Sequence, residues 1–343
     1  MASGTSASTF PRWSAFFHRH PVLLLLCLTP GIPEYLSGST KTEFLVLSPG
    51  VFLLFLVLNL GLYGPGVLIV REAFVRWRTG WAGVLLLGAA YGLLEEGTAL
   101  STLFNPKASV VGSQGYYGHY LGVNWVWTVG VLGVHIVLSV GVPILLLGLA
   151  LPETRGKSLL TNRQVAIAAL LYALDIAALA FAVGYYRTAP MLLVLAVVVA
   201  LLLYALARQL PKGSLDPTGD LPRHRPWVFL VLGIAFYPLV LLLFPGFGMA
   251  ANLWPPVVMA VEVALGALLF LYVRRTIGRR NNEAALTMLA LGTLIPIAAI
   301  GLVVQLLVPV ELVVDVLFVL FFYALWKRYR PIPTATLPSG VSG

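Results

Sequence analysis

Apolar runs of about 20 residues, parted by short links rich in Pro, Gly and Arg, recur along the whole chain, and that is the length an α-helix needs to cross the hydrocarbon of a bilayer. Lipid offers no hydrogen bonds, so each run must satisfy its own backbone, which means helix. The runs fall near residues 20–37, 44–70, 80–103, 122–149, 165–186, 190–208, 227–245, 253–273, 284–307 and 309–326. They predict an all-α fold, a polytopic transmembrane helical bundle of about ten spans. A chain that is 59% hydrophobic and only 10% charged, with mean hydropathy +0.92, lies outside the range of water-soluble domains.

The formal charge of +9 does not indicate a nucleic-acid partner, because the basic residues sit in the short links instead of on one soluble face. With the chain starting in the cytoplasm, every second link holds the clusters Arg12 and Arg19, Arg71 to Arg78, Arg155 to Arg163, Arg208 to Arg225, Arg274 to Arg280 and Lys327 to Arg330. Nineteen of the 22 basic residues then face one side, and only Lys41, Lys107 and Arg187 face the other. That bias predicts an even number of spans in a prokaryotic cell membrane, with both termini cytoplasmic and the lipid bilayer as partner.

The same reading divides the chain into a cytoplasmic tail (1–19), a first membrane bundle of spans one to six (20–208) and a cytoplasmic linker (209–226). A second bundle of spans seven to ten (227–326) and a cytoplasmic tail (327–343) complete it. The apolar run Val22 to Leu28 resembles the core of a secretory leader cleaved near Gly38, but Pro30 and Pro33 interrupt the cleavage region, so it is read as the first span. Thr29-Pro30-Gly31-Ile32-Pro33 predicts a break there, as in a re-entrant segment. The lone Cys27 excludes an intrachain disulfide.

Against this apolar background, ionisable residues inside the spans mark candidate functional positions. Glu95 and Glu96, in GAAYGLLEEGTALST, lie about 22 Å along the helix that starts near Trp81. On an α-helix neighbouring residues point about 100° apart, so the two acids are expected to face different partners. Glu96 continues the small-residue ridge Gly88 and Gly92, while Glu95 shares a stripe with Tyr91, Thr98 and Thr102. The fourth span has a polar stripe of Asn124, Thr128, His135 and Ser139, with His135 about 21 Å from the cytoplasmic end. Equal depth predicts that Glu95 and His135 meet across antiparallel neighbours, with Asp175 of the fifth span completing the cluster. Further acids are Glu34 in the broken first span, Glu262 in the eighth, and Glu311 and Asp315 in the tenth. No Lys or Arg lies at their depth, so they must be protonated, bind a cation or share the proton of His135. The outer link 103–122, with Tyr116, Tyr117, His119 and Tyr120, is read as an interfacial aromatic belt or a lid.

The chain has no HExxH, phosphate loop, CxxC or GxSxG, and its residues specify no cofactor, metal or substrate. The pair Glu95-Glu96-Gly97-Thr98-Ala99-Leu100 and the later Val131-Leu132-Gly133-Val134-His135 resemble the EExxxR and FxxxH motifs of the CAAX protease and bacteriocin-processing family of intramembrane glutamic proteases. Leu100 stands where that family has arginine and Val131 where it has phenylalanine; no third intramembrane histidine is present, and Asp175 is only a positional stand-in. The resemblance implies an intramembrane hydrolase or a non-proteolytic relative. It makes Glu95 or Glu96 the water activator and His135 the oxyanion stabiliser, with Asp175 beside them. The alternative is a proton- or cation-coupled secondary transporter using Glu34, Glu262, Glu311 and Asp315, acids that a hydrolase leaves idle.

The topology has a direct check. In a Cys27→Ser background, single cysteines at Ser113 and Ser214 should react with an impermeant thiol reagent from opposite sides of the membrane. Labelling of both from one side refutes the assignment.

Overall fold

The computed structural model describes residues 12–182, 186–239, 244–304 and 309–330, and they form an all-α bundle with one two-stranded hairpin. The chain enters through α1 (Arg12–Arg19) and α2 (Pro21–Pro30), which continues as a π-helical segment, Gly31–Leu36. After α3 (Phe44–Leu47) come α4 (Pro49–Trp77) and α5 (Gly80–Gly92), the latter continued by a second π segment, Leu93–Ala99. Strands β1 (His119–Tyr120) and β2 (Val123–Asn124) lead into α6 (Trp125–Val134), a third π segment (His135–Gly141) and α7 (Val142–Ala150). Then follow α8 (Asn162–Ala182), α9 (Pro190–Gln209), α10 (Pro226–Phe236), α11 (Phe244–Ala250), α12 (Pro255–Thr276), α13 (Glu283–Val304) and α14 (Pro309–Tyr329). Among the described residues six helices are long and apolar enough to cross a membrane, and Pro21–Leu36 and Pro226–Leu239 are shorter apolar helices.

The first span corrects the expected break. Helix runs from Pro21 to Leu36 without interruption, because the turns widen at Gly31, where the π pattern begins. A proline spoils the hydrogen bond its own nitrogen would make, and a π bulge is one way a helix absorbs that local defect. This span is a core element, with Leu25, Ile32 and Leu36 almost fully buried against α4, α7, α13 and α14.

Without water to drive apolar surfaces together, helices in lipid associate where small residues admit a close neighbour. Gly88 and Gly92 serve that purpose on α5. A Cβ at Gly88 would lie 3.0 Å from the Cα of Ile136, and one at Gly92 would lie 3.1 Å from the Cβ of His135. Span four therefore lies directly on this ridge, with α4, α8 and α9 as the other neighbours of span three. The expectation that the fifth span joins the third and fourth around one cluster is corrected in one respect: α8 packs chiefly on α4 and on the π segment of span three.

Basic residues tie down the end of the bundle that carries their links. Glu72, buried near the end of α4, accepts from Arg71 at 2.7 Å, Arg76 at 3.0 Å, the Leu159 amide at 2.8 Å and the Ser158 hydroxyl. Segment 209–225 is likewise tethered: Gly213 donates to the Arg78 carbonyl, Ala82 to the Ser214 carbonyl, and Arg223 to the Thr276 carbonyl.

A side chain at Gly88 should separate α5 from the π segment of span four. Gly88→Val is expected to destabilise the fold by about 1–3 kcal/mol through overpacking, seen as a lower thermal unfolding midpoint in detergent. An unchanged midpoint would remove the close approach as a packing determinant.

Candidate active site

The two π segments meet at the same depth and bring Glu95, Glu96 and His135 together. His135 Nε2 lies 3.0 Å from Glu96 Oε1, and Nδ1 lies 3.3 Å from Glu95 Oε2 and 3.0 Å from Ser139 Oγ. The residues are 1%, 8% and 3% exposed for Glu95, Glu96 and His135, so the cluster is enclosed by protein. The expectation that adjacent glutamates must face different partners is corrected here. Residues 93–99 follow the i→i+5 pattern, with the Leu100 amide donating to the Glu95 carbonyl at 2.9 Å, and this wider turn rotates less per residue than an α-helix. The imidazole also offers two nitrogens on opposite edges, one for each carboxylate.

Glu96 is held from the hairpin side. The Thr102 hydroxyl donates to its Oε2, Trp127 Nε1 donates to Thr102 Oγ1 at 3.2 Å, and Asn124 Nδ2 donates to the Thr102 carbonyl at 2.8 Å. Asn124 Oδ1 is 2.6 Å from Nδ1 of the partly exposed His119. Leu121 and Gly122, both at positive φ, form the two-residue turn that places β2 directly before α6. Tyr117 donates to the Leu253 carbonyl, whereas Tyr116 and Tyr120 are exposed, so the expected belt or lid consists of two outward tyrosines on an anchored loop.

Glu95 looks the other way, into an aromatic pocket. The Tyr63 and Tyr91 hydroxyls lie beside its carboxylate, yet Glu95 Oε2 and Tyr91 Oη have no partner in hydrogen-bonding geometry. Tyr91 stacks on Tyr172 with centroids 5.8 Å apart and meets the edge of His135 at 5.7 Å. Tyr63 donates to Glu34 Oε1 at 2.6 Å; Thr40 donates to Glu34 Oε2 at 2.6 Å and accepts from Asn59 at 3.0 Å.

The remaining acids divide. Glu34, expected at a separate transport site, belongs to the Glu95 neighbourhood through Tyr63. Asp175 stands outside the Glu/His cluster and packs against Gly61 of α4, which corrects its placement as the third member. Glu262 is buried at the contact of α12 with Gly130 of α6, and neither of its carboxylate oxygens has a partner. Asp315 on α14 is half-buried with both oxygens unpartnered, and the side chain of Glu311 lies outside the described residues. Among the described residues Glu34 is thus the one acid of that proposed transport set found beside the Glu/His cluster. Tyr63 and Asn59 were missed in the sequence; the signal available was a tyrosine directly before Gly64-Pro65-Gly66, at a depth matching Glu95.

Both polar chains leave the cluster toward one end of the bundle, through residues 37–43 and through the hairpin. Toward the basic end lie the buried apolar side chains Val67, Val70, Val84, Leu87, Leu138 and Leu146. Among the described residues, one donor atom from each of Glu95, Glu96 and His135 lies within 4.8 Å of the others, an O, O, N set that can hold a divalent ion.

Fold and site define a multi-pass helical membrane protein with an enclosed Glu/His cluster inside its first spans. Residues 23–338 match an uncharacterized membrane protein family, and the chain belongs to it. No curated protein and no solved structure matches the chain.

Removing the Tyr63 hydroxyl leaves a Glu34 oxygen without its donor. Tyr63→Phe should destabilise by about 1–3 kcal/mol, the cost of an unsatisfied buried acceptor, whereas Tyr91→Phe should cost several-fold less. Thermal unfolding of the two variants side by side checks the contrast; equal losses would show that Tyr63 does not hold Glu34.

Proposed function

We propose that the chain is an intramembrane hydrolase whose water is activated by Glu95. The observation that carries this reading is the buried Glu95 Oε2, which has no hydrogen-bond donor although it lies 3.3 Å from His135 Nδ1. A carboxylate oxygen left open in this way can take the proton of an incoming water. Glu96, fixed by Thr102, holds His135 from the opposite edge, and the imidazole then donates to the oxyanion that forms when water adds to an acyl carbon. The resemblance to the CAAX protease and bacteriocin-processing family supports the same roles for Glu95, Glu96 and His135 and suggests a peptide bond as substrate. Asp175 has no part in this scheme.

The one-sided polar route supports hydrolysis over transport. Alternating access requires a site that reaches both faces in turn, and in this conformation buried apolar side chains lie between the cluster and the basic end. On the positive-inside reading of the basic links that end is cytoplasmic, and the water of the reaction comes from the opposite face. A ten-span chain with the domain limits given above and both termini cytoplasmic fits this arrangement. Proton- or cation-coupled transport keeps one specific support, the unpartnered carboxylate of Glu262 on a helix that packs on α6.

In membranes supplied with a peptide library, Glu95→Gln should lower kcat at least about 100-fold while leaving the unfolding midpoint close to that of the parent, because it keeps the volume and removes the base. His135→Ala and Glu96→Gln should also lose activity, whereas Glu262→Gln should keep it. Activity should survive exhaustive chelation. Loss on chelation with recovery in zinc would move water activation to a metal, and full activity of Glu95→Gln would refute the hydrolytic role.

A further inference from the structure

At the basic end of the bundle, far from the Glu/His cluster, the ends of α10, α13 and α14 leave a cleft of about 460 Å³. Arg225 and Trp227 line it at the start of α10, Thr287 and Met288 in the first turns of α13, and Trp326 and Arg330 at the end of α14. Among the described residues neither Arg225 nor Arg330 has a carboxylate partner, and the nearby Glu283 is taken by Arg155 at 3.1 Å. Arg330 instead lies over the Trp326 ring, 5.4 Å from its centroid. The N-termini of α10 and α13 also border the cleft, each the positive end of its helix dipole. Trp227 and Trp326 remain 60% and 42% exposed, at the level where a membrane protein meets lipid headgroups.

We propose that this cleft is a binding site for the headgroup of an anionic phospholipid. Its charge is complementary to a phosphodiester: the guanidinium groups of Arg225 and Arg330 both line it, and a guanidinium can form paired hydrogen bonds to phosphate oxygens. The volume falls within the range of about 300–1,000 Å³ usual for small-molecule sites, enough for headgroup and glycerol. Met288 and the tryptophans supply an apolar wall along which the acyl chains leave toward the bilayer. Basic pockets between helix ends on the face rich in Lys and Arg are where such lipids are retained. A soluble phosphate would use the arginines but gain nothing from the tryptophans or the membrane level of the cleft, so the occupant is the lipid.

The test uses the full chain, delipidated in a neutral detergent, with phosphatidylglycerol and phosphatidylcholine added in parallel. Phosphatidylglycerol should raise the unfolding midpoint and remain bound in native mass spectrometry at a ratio near one, and phosphatidylcholine should do neither. The double variant Arg225→Gln/Arg330→Gln should need roughly 30-fold more phosphatidylglycerol for the same shift. Lys157→Gln/Arg163→Gln removes the same charge elsewhere on that end and should change little. Met288→Trp fills the cleft with both arginines present and should also remove the shift, which guards against misfolding of the charge variant. Equal weakening in both charge variants, or an equal shift from soluble glycerol phosphate, overturns the proposal.

Discussion

An imidazole held between two carboxylates in the hydrocarbon layer is tolerable only as a unit. A lone carboxylate at that depth costs several kcal/mol, and no lysine or arginine accompanies this cluster, so the three groups must answer one another. The surrounding structure serves that requirement. The Gly88 and Gly92 ridge brings span four close enough for contact, and the Thr102, Asn124 and Trp127 chain fixes the outer face of Glu96. Tyr63 links the opposite side to Glu34, so the first span, helical despite its prolines, becomes a wall of the site.

The three π segments of the first four spans share one logic. A π turn inserts an extra residue into a helix and changes the direction of the side chains that follow, at some loss of backbone geometry, and such turns recur at functional positions. Here one carries Glu34, one Glu95 and Glu96, and one His135 and Ser139. An α-helix would set Glu95 and Glu96 about 100° apart; the π turn narrows that angle, and the two nitrogens of the imidazole take up the rest. The local irregularity and the shared histidine are therefore two aspects of one feature.

Much of this was legible in the sequence. The apolar runs located the helices, and the equal depth of Glu95 and His135, together with GxxxG spacing, predicted which helices would touch and where. These are one-dimensional quantities, counted along a helix axis. What failed was angular. A π turn leaves no clear mark in composition, so the faces drawn from an α-helical wheel put Glu95 and Glu96 on separate stripes. Asp175 failed for a related reason: α8 turns that residue toward Gly61 on α4, and a position counted along a helix says nothing about rotation. Tyr63 was hidden because a tyrosine in an apolar run reads as core until its hydroxyl partner is known.

Span three is anchored at both ends, and this bears on what the cluster can do. At the basic end the start of α5 receives the linker, with Ala82 donating to the Ser214 carbonyl and the Trp81 amide donating to Asp216 at 3.3 Å, an acid well placed at a helix N-terminus. At the other end the Leu103 carbonyl accepts from the Asn124 amide at 2.8 Å, which joins the exit of span three to the entry of span four. The same linker is bonded to the end of α12 through the Thr276 carbonyl. Rocking of one half against the other would have to break these bonds or carry the linker with it. On the proposed hydrolytic reading, a site held in this way would keep its dipoles fixed as charge develops, which is the condition under which electrostatic stabilisation of a transition state is effective.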